Sequence, residues 1–279
     1  MRHYRTKLLL TATVASLGFA AIASAADLPA RTYTKAPVAP MAFNWSGFYI
    51  GGFVGDAFAD GNSVASEPVS ASGLLYNGLN PTTSYGLNSS FIGGGTIGYN
   101  WQAPGSNYVF GLEGEAGYLH LRGSRQDVNA VPLSPIDSVD STRLGDAYGV
   151  IAGRIGYASD RALFYAKGGV AFVGNSHSFN DSCIGAGAPG CGPGFLVTNQ
   201  SDTQVTYAVG AGIEYAFTNN WSLKGEYLYL GTHKTSIASG TSLAAPANVL
   251  FTNSFSDPGI HTAKIGINYR FGGPVVAKY

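Results

Sequence analysis

Charged side chains recur at alternate positions within segments that are otherwise apolar or rich in glycine. Such period-two spacing places the charges on one face of a β-strand and their apolar neighbours on the other. Carboxylates and cations that share a face can form ion pairs or line a polar channel. The set comprises four acids and five bases: Glu113, Glu115, Glu214 and Glu226, with Arg154, Lys167, Lys224, Lys264 and Arg270.

The segment 262–271 shows most clearly which type of β-sheet would position these charges. One face carries only apolar side chains, and the other carries Lys264 and Arg270 among small or polar residues. A lipid-facing apolar side and a polar interior side are typical of a transmembrane β-barrel strand. Because the backbone of such a strand must be paired on both edges, the sheet must close on itself.

Seven further segments are predicted to be strands: 45–55, 90–101, 107–120, 144–157, 162–174, 203–217 and 221–232. Their connections alternate between long and short, and the long ones are 57–89, 122–142, 175–202 and 234–259. Outer-membrane barrels have long extracellular loops and short periplasmic turns. The sequence therefore predicts an all-β fold, an eight-stranded antiparallel transmembrane β-barrel with four long extracellular loops and short periplasmic turns.

The ends of the chain predict export and processing. Residues 1–25 have a basic start, an apolar stretch and a small-residue cleavage site, the pattern of a signal peptide. Residues 26–44 are predicted to be a Pro-rich periplasmic lead-in, 45–271 the barrel and 272–279 a C-terminal tail. The predicted location is the bacterial outer membrane.

Composition supports β structure and argues against several other classes. The 279 residues include 39 Gly, 13% are aromatic and 11% are charged. Glycine at about twice its average usage, alternating with aromatics, favours strands over helices. The formal net charge of zero gives no indication of nucleic-acid binding.

Aromatic residues cluster where the predicted strands meet the periplasmic side. All three tryptophans fall there, and the last strand ends in two more aromatics: Trp45, Trp101, Trp221, Tyr269 and Phe271. Rings at that level form an interfacial girdle in membrane barrels. A soluble ligand-carrying barrel gives no reason for this placement.

Two motifs resemble a known family. They are the opening Trp45-Ser46-Gly47-Phe48-Tyr49-Ile50-Gly51-Gly52, after a Pro-rich lead, and the closing Lys264-Ile265-Gly266-Ile267-Asn268-Tyr269-Arg270-Phe271. Together they resemble the small outer-membrane β-barrel proteins of alphaproteobacteria, porin-like surface antigens similar in architecture to the OmpA membrane domain. The resemblance implies a role in envelope integrity and surface exposure, and family members include porin-like and haem-binding proteins.

The same resemblance implies partners. These are outer-membrane lipid and lipopolysaccharide, and the barrel-assembly machinery, which reads a C-terminal aromatic. Both Phe271 and Tyr279 are candidates for that aromatic, since the tail follows the last strand. The long loops are the predicted contact surface for extracellular ligands.

Two interpretations of the interior charges compete, a conduit and a plug. The interior of an eight-stranded barrel is only just wide enough for its own side chains. We therefore predict a paired plug that satisfies buried charges, and at most weak porin-like passage of small solutes. We expect no cofactor and no catalytic residue.

Three alternatives remain open at this point. One is a binding protein that holds haem or a host surface through its loops. Another is an enzyme acting on outer-membrane lipid, which would need a Ser–His pair at the lipid-facing rim, where only His120 is a candidate. The third is a soluble ligand-carrying barrel, which the charges along its interior and the aromatic girdle argue against.

Cysteine and histidine offer the remaining chemistry. Cys183 and Cys191 lie in the third long loop of an exported chain, which predicts a disulfide between them. Four histidines fall at extracellular strand ends, namely His120, His177, His233 and His261. Their spacing matches no metal or haem ligand pattern, so we interpret them as solvated rim residues and only weak ligand candidates.

Overall fold

The computed structural model describes residues 43–75, 82–126, 138–181, 196–242 and 248–272. In these ranges lie β1 (Gly47–Ala59), β2 (Asn62–Ser66), β3 (Val69–Ser70), β4 (Thr82–Gly86), β5 (Ser90–Gln102), β6 (Tyr108–Gln126), β7 (Ser138–Ser159), β8 (Ala162–Asp181), β9 (Leu196–Ala216), β10 (Trp221–Leu230), β11 (Thr235–Thr241), β12 (Leu250–Ser256) and β13 (Ile260–Arg270). Across these ranges, no helix is long and apolar enough to cross a bilayer. The predicted signal peptide, most of the lead-in, the residues after 272 and both cysteines lie outside the described residues.

Eight strands pair in a closed antiparallel circuit. Its order is β1, β5, β6, β7, β8, β9, β10 and β13, and β13 pairs again with β1. The circuit contains the eight strands that the alternation predicts. Three short connections join it at one end, which we call the short-turn end, while the opposite, extended end carries β2–β4, β11 and β12.

The long connections were wrongly predicted to be loops throughout. β2, β3 and β4 lie within 57–89, β11 and β12 lie within 234–259, and β6 to β9 run for 19 to 22 residues. Their inward positions include small hydroxyl residues such as Ser63 and Thr83, which are buried. The hydrophobic alternation that identifies a strand is therefore weak there.

These added strands close a second circuit above the first. β11 pairs with β9 and β12, β12 pairs with β2, and β2 pairs with β4. The segment after β4 reaches β6 through an Asn88–Arg122 bridge, and Arg125 Nη1 donates to the Ser84 carbonyl at 2.9 Å. A buried apolar cluster that includes Phe179, Phe251 and Phe255 fills this level.

The two faces of the lower circuit differ as the alternation predicts. Its outer face exposes large apolar side chains on every strand, for example Leu112 at 61% and Ile265 at 64%. Strand one, whose faces the sequence does not distinguish, directs Tyr49 and Phe53 inward and Phe48 and Ile50 outward. So wide an apolar surface on a closed sheet matches contact with lipid.

Candidate functional site: the charged interior

The interior charges come from six neighbouring strands at matched heights. Strand register places Glu214 opposite Lys224 and Glu226 opposite Lys264, and the second of these pairs is in direct contact at 2.9 Å. Eight of the nine predicted charges form one network, in which each residue is at most 5% exposed: Glu113, Glu115, Arg154, Lys167, Glu214, Lys224, Glu226 and Lys264. Four acids and four bases make its formal charge zero.

Lys167 lies at the centre of this network. Its Nζ is 2.9 Å from Glu113, 3.1 Å from Glu115 and 2.8 Å from Glu226. Lys264 Nζ adds contacts of 2.5 Å to Glu115 and 2.9 Å to Glu226. Because the carboxylates are shared between cations, removal of one member affects several pairs.

Arg154 connects a second part of the network. Its Nη1 is 3.3 Å from Glu214 and 3.7 Å from Glu113, while its Nε donates to Asn100 Oδ1 at 2.8 Å. The guanidinium lies 4.9 Å above the Tyr49 ring. Planar contacts of this kind favour arginine over lysine.

Three tyrosines, none of them predicted from the sequence, complete the hydrogen bonding of these carboxylates. Tyr49 donates to Glu113 at 2.7 Å, Tyr148 to Glu115 at 2.7 Å and Tyr165 to Glu226 at 2.8 Å. Strand parity would have found two of them, since Tyr148 shares its face with Arg154 and Tyr165 shares its face with Lys167. Neutral hydroxyl donors satisfy carboxylates without adding charge.

Each of these tyrosines lies opposite a glycine of the neighbouring strand. The cross-strand pairs are Tyr49–Gly98, Tyr148–Gly117 and Tyr165–Gly212. A Cβ at Gly212 would lie 2.5 Å from the Tyr165 hydroxyl oxygen, and one at Gly117 would lie 2.9 Å from the Tyr148 ring. The ring thus occupies the space that a side chain would fill, an arrangement that pins strand register.

Arg270 and Trp45 are placed differently from their predictions. Arg270 lies outside the ion-pair network, at the short-turn end, where it donates to the main-chain carbonyls of Asn44 and Asn219. Trp45 is 2% exposed, and its Nε1 donates to the Asp160 carbonyl at 3.2 Å. Trp45 precedes β1, so the alternation of side chains along that strand does not determine its direction. Its ring lies inside the sheet.

Apolar side chains cover the charges from both ends. Toward the short-turn end, Trp45 packs with Val109, Leu163 and Ala216. Toward the extended end, a larger cluster includes Phe53, Ile92, Leu119, Leu121, Leu144, Leu228, Leu230 and Ile260. A cavity near Trp45 holds about 10 Å³, room for about one water.

Three carboxylates of the network approach one another closely enough to share a metal ion. Ligand oxygens of Glu113, Glu115 and Glu226 lie within 4.8 Å of one another. The ammonium groups of Lys167 and Lys264 already contact these oxygens. They supply at this place the positive charge that a metal would bring.

The four histidines occupy different surroundings. His177 is buried, contrary to the prediction of a solvated residue: its Nε2 is 3.2 Å from Asp257 and its Nδ1 is 3.1 Å from the Thr142 hydroxyl. His233 is exposed beside Asp60, and His261 contacts the Tyr227 hydroxyl. Burial raises the pKa of the Asp257 carboxyl above its usual range, while His177 opposes that shift.

His120 gains an acidic partner that the sequence did not reveal. Its Nδ1 is 2.6 Å from Asp146 Oδ1, and its main-chain N–H donates to the Ser90 hydroxyl at 2.8 Å. Ser90 Oγ in turn donates to the Phe91 carbonyl. The Ser90 hydroxyl contacts the main chain of His120, whereas the imidazole contacts Asp146. Ser90 and His120 therefore do not form a pair of nucleophile and base.

Exposed aromatics surround the short-turn end on the outer face. Trp101 is 53% exposed, Trp221 42% and Phe271 48%, and the Tyr269 ring lies 5.0 Å from that of Trp221. Four of the five predicted girdle residues thus share this level of the surface, without Trp45.

The chain belongs to the outer membrane protein beta-barrel domain family, whose profile matches residues 12–271. It is an outer-membrane protein with relatives among surface antigens. A 31 kDa outer-membrane immunogenic protein of Brucella melitensis is 31% identical over 276 residues, which cover 95% of this chain and 100% of that protein. A 22 kDa outer membrane protein of Rhizobium leguminosarum bv. viciae is 28% identical and covers 70% of this chain and 67% of its own length.

Among solved structures, the chain is similar to the attachment invasion locus protein Ail of Yersinia pestis. The identity is 14%, the TM-score is 0.33, and the match covers 81% of this chain and 99% of Ail. So distant a likeness says nothing about activity.

Proposed function

We propose that the protein is a structural, non-enzymatic transmembrane barrel that stabilises the bacterial envelope and conducts little or nothing. In this proposal the lower circuit crosses the outer membrane, the short turns face the periplasm and the extended end faces outward. Outward-facing apolar side chains contact lipid, and Trp101, Trp221, Tyr269 and Phe271 form the periplasmic girdle. The predicted signal peptide would be removed on export.

The observation that carries this proposal is the charge-balanced, apolar-covered network. A conduit needs mobile, hydrated charges, whereas these eight side chains are at most 5% exposed and contact one another. Separating one of these side chains from its partners would leave an uncompensated buried charge. The energy that this requires keeps the charged groups in place.

Planar-bilayer recording tests the proposal. Refolded protein, its folding verified by the heat-dependent shift of its gel band, should give no reproducible current steps. Glu214→Ala should lower the unfolding midpoint and leave the membrane silent, because its loss disrupts Arg154, Ser222 and Asn268 within the packed interior. The matched control is Lys234→Ala, which removes an exposed charge at the extended end.

Two results would contradict the proposal. One is a stable unit conductance in wild-type protein. The other is a Glu214→Ala variant that melts with wild type and changes ion selectivity, since that combination describes a conduit whose charges are not structural.

A further inference from the structure

Two arginines face each other on the outer surface of β6 and β7. Strand register pairs Arg122 directly with Arg143, and both side chains are exposed. Like charges in directly opposite positions destabilise an antiparallel pair. The arrangement therefore needs a source of negative charge to offset it.

Asp146 supplies part of that charge and fixes one arginine. Its Oδ2 lies 3.3 Å from Arg143 Nε, and its Oδ1 contacts His120. The register shifts between Leu144 and Tyr148, and Asp146 has a φ of 71°, a left-handed conformation that is uncommon outside glycine. Bulges of this kind re-aim side chains toward a site.

Donor groups remain available beside this carboxylate. Within the part of the chain that the structure describes, the terminal amino groups of Arg143 and the whole guanidinium of Arg122 have no hydrogen-bond partner. An open groove of about 690 Å³ passes both arginines and is lined with hydroxyls of Ser124, Ser141, Ser176 and Ser178, of which Ser141 and Ser178 hydrogen-bond each other at 2.7 Å. Guanidinium groups together with hydroxyls suit a tetrahedral oxyanion.

The height of the groove on the sheet indicates where such an anion lies. Tyr118 is the last exposed aromatic of β6 toward the extended end, and its ring stacks on that of His120. Arg122 is the next outward residue after His120. The arginines thus lie just beyond the exposed apolar side chains of the lower circuit, at the level where lipid headgroups meet water.

We propose that Arg122 and Arg143 bind a phosphate group of a lipid in the outer leaflet. Asp146 orients Arg143, the hydroxyls of Ser124 and Ser176 donate to the remaining phosphate oxygens, and the acyl chains lie along the apolar face below. This inference rests on the proposed function, because it requires the extended end to face outward.

Binding of purified, folded protein to diphosphoryl lipid A, measured by native mass spectrometry, tests the proposal. The comparison ligands are the dephosphorylated lipid and inorganic phosphate. We expect the double variant Arg122→Gln/Arg143→Gln to lose about tenfold or more in affinity for the diphosphoryl lipid and nothing for the dephosphorylated one. The matched control, Lys234→Gln, removes an exposed cation elsewhere at the extended end and should bind as wild type.

The single variant Arg122→Gln guards against a folding artefact. It relieves the like-charge pair, so it should fold at least as well as wild type while binding the lipid more weakly. Unchanged lipid affinity in the double variant would overturn the proposal, as would equal affinity of wild type for both lipids. Inorganic phosphate that displaces the lipid at equal concentration would also overturn it, in favour of a free-phosphate site.

The binding readout is independent of conductance. A silent bilayer with no lipid selectivity would reject only the lipid site, and current steps with retained lipid selectivity would reject only the plugged interior.

Discussion

Lys167→Met is the perturbation that tests the interior network most directly. Three carboxylates lie 2.8–3.1 Å from its Nζ, and methionine keeps most of the side-chain volume while removing the charge. At an effective dielectric constant of about 20, each contact corresponds to a gross attraction of about 5–6 kcal/mol. Desolvation and repulsion among Glu113, Glu115 and Glu226 offset much of this, so we expect a net loss of about 3–5 kcal/mol.

Urea unfolding in lipid vesicles, followed by tryptophan fluorescence and the gel shift, measures this loss. The double variant Lys167→Met/Glu226→Gln restores neutrality, since the single variant leaves the network at a formal charge of −1. Residues in contact couple by about 0.5–3 kcal/mol. The double variant should therefore be more stable than the sum of the two single effects predicts.

An exposed cation provides the control for this experiment. Lys234→Met should change the unfolding free energy by no more than about 0.5 kcal/mol. Strict additivity of Lys167→Met and Glu226→Gln, or a loss below about 1 kcal/mol for Lys167→Met alone, would refute the view that the interior is a coupled, desolvated network.

Three further predictions concern single positions. Tyr165→Phe removes the hydroxyl that donates to Glu226 and should cost about 1–3 kcal/mol in the same unfolding assay, since it leaves a buried carboxylate short of a donor. Gly212→Ala forces a methyl group against the Tyr165 ring and the Gly225 carbonyl and should cost about 1–3 kcal/mol, a loss that Tyr165→Ala in the same chain should reduce in part. Burial raises the folded-state pKa of Asp257 above its ordinary value of 3.8, so the folded state binds more protons than the unfolded state as pH rises above that value, and stability falls there. In melting curves recorded at increasing pH above 3.8, Asp257→Asn should lose this decline even with His177 intact.

Periodicity predicted the lower circuit well because two physical demands act on it at once. In the proposed membrane-spanning arrangement, lipid outside and packed charges inside impose opposite chemistry on alternate residues, so Lys264 and Ile265 differ sharply. The same demands placed the charged residues of six strands on one face. What periodicity could not provide was their height, which depends on strand stagger and separates Arg270 from the network.

The extended end was predicted poorly for the converse reason. At the extended end the outer face carries mainly polar rather than large apolar side chains, and the interior mixes hydroxyl residues such as Ser63 and Thr142 with phenylalanines. Because the two faces do not differ clearly in hydrophobicity there, the sequence of β2 and β4 was interpreted as a loop. Burial of His177 was missed because its partner Asp257 is 80 residues away and only the second circuit brings them together.

The tyrosine and glycine pairs have a consequence for how the chain finds its native alignment during insertion. A strand can slip against its neighbour only in steps of two residues if its apolar face is to stay in lipid. Such a slip of β1 against β5 would move Tyr49 from Gly98 to Thr96 or Asn100, whose side chains occupy the space that the ring needs. The pair at Gly117 imposes the same check on the seam between β6 and β7, since a slip there would set Tyr148 against Glu115 or Leu119. At the seam between β8 and β9 only the slip toward Glu214 is opposed, because the other direction sets Tyr165 against Gly210. Misaligned intermediates at these seams are therefore penalised before the charges have met.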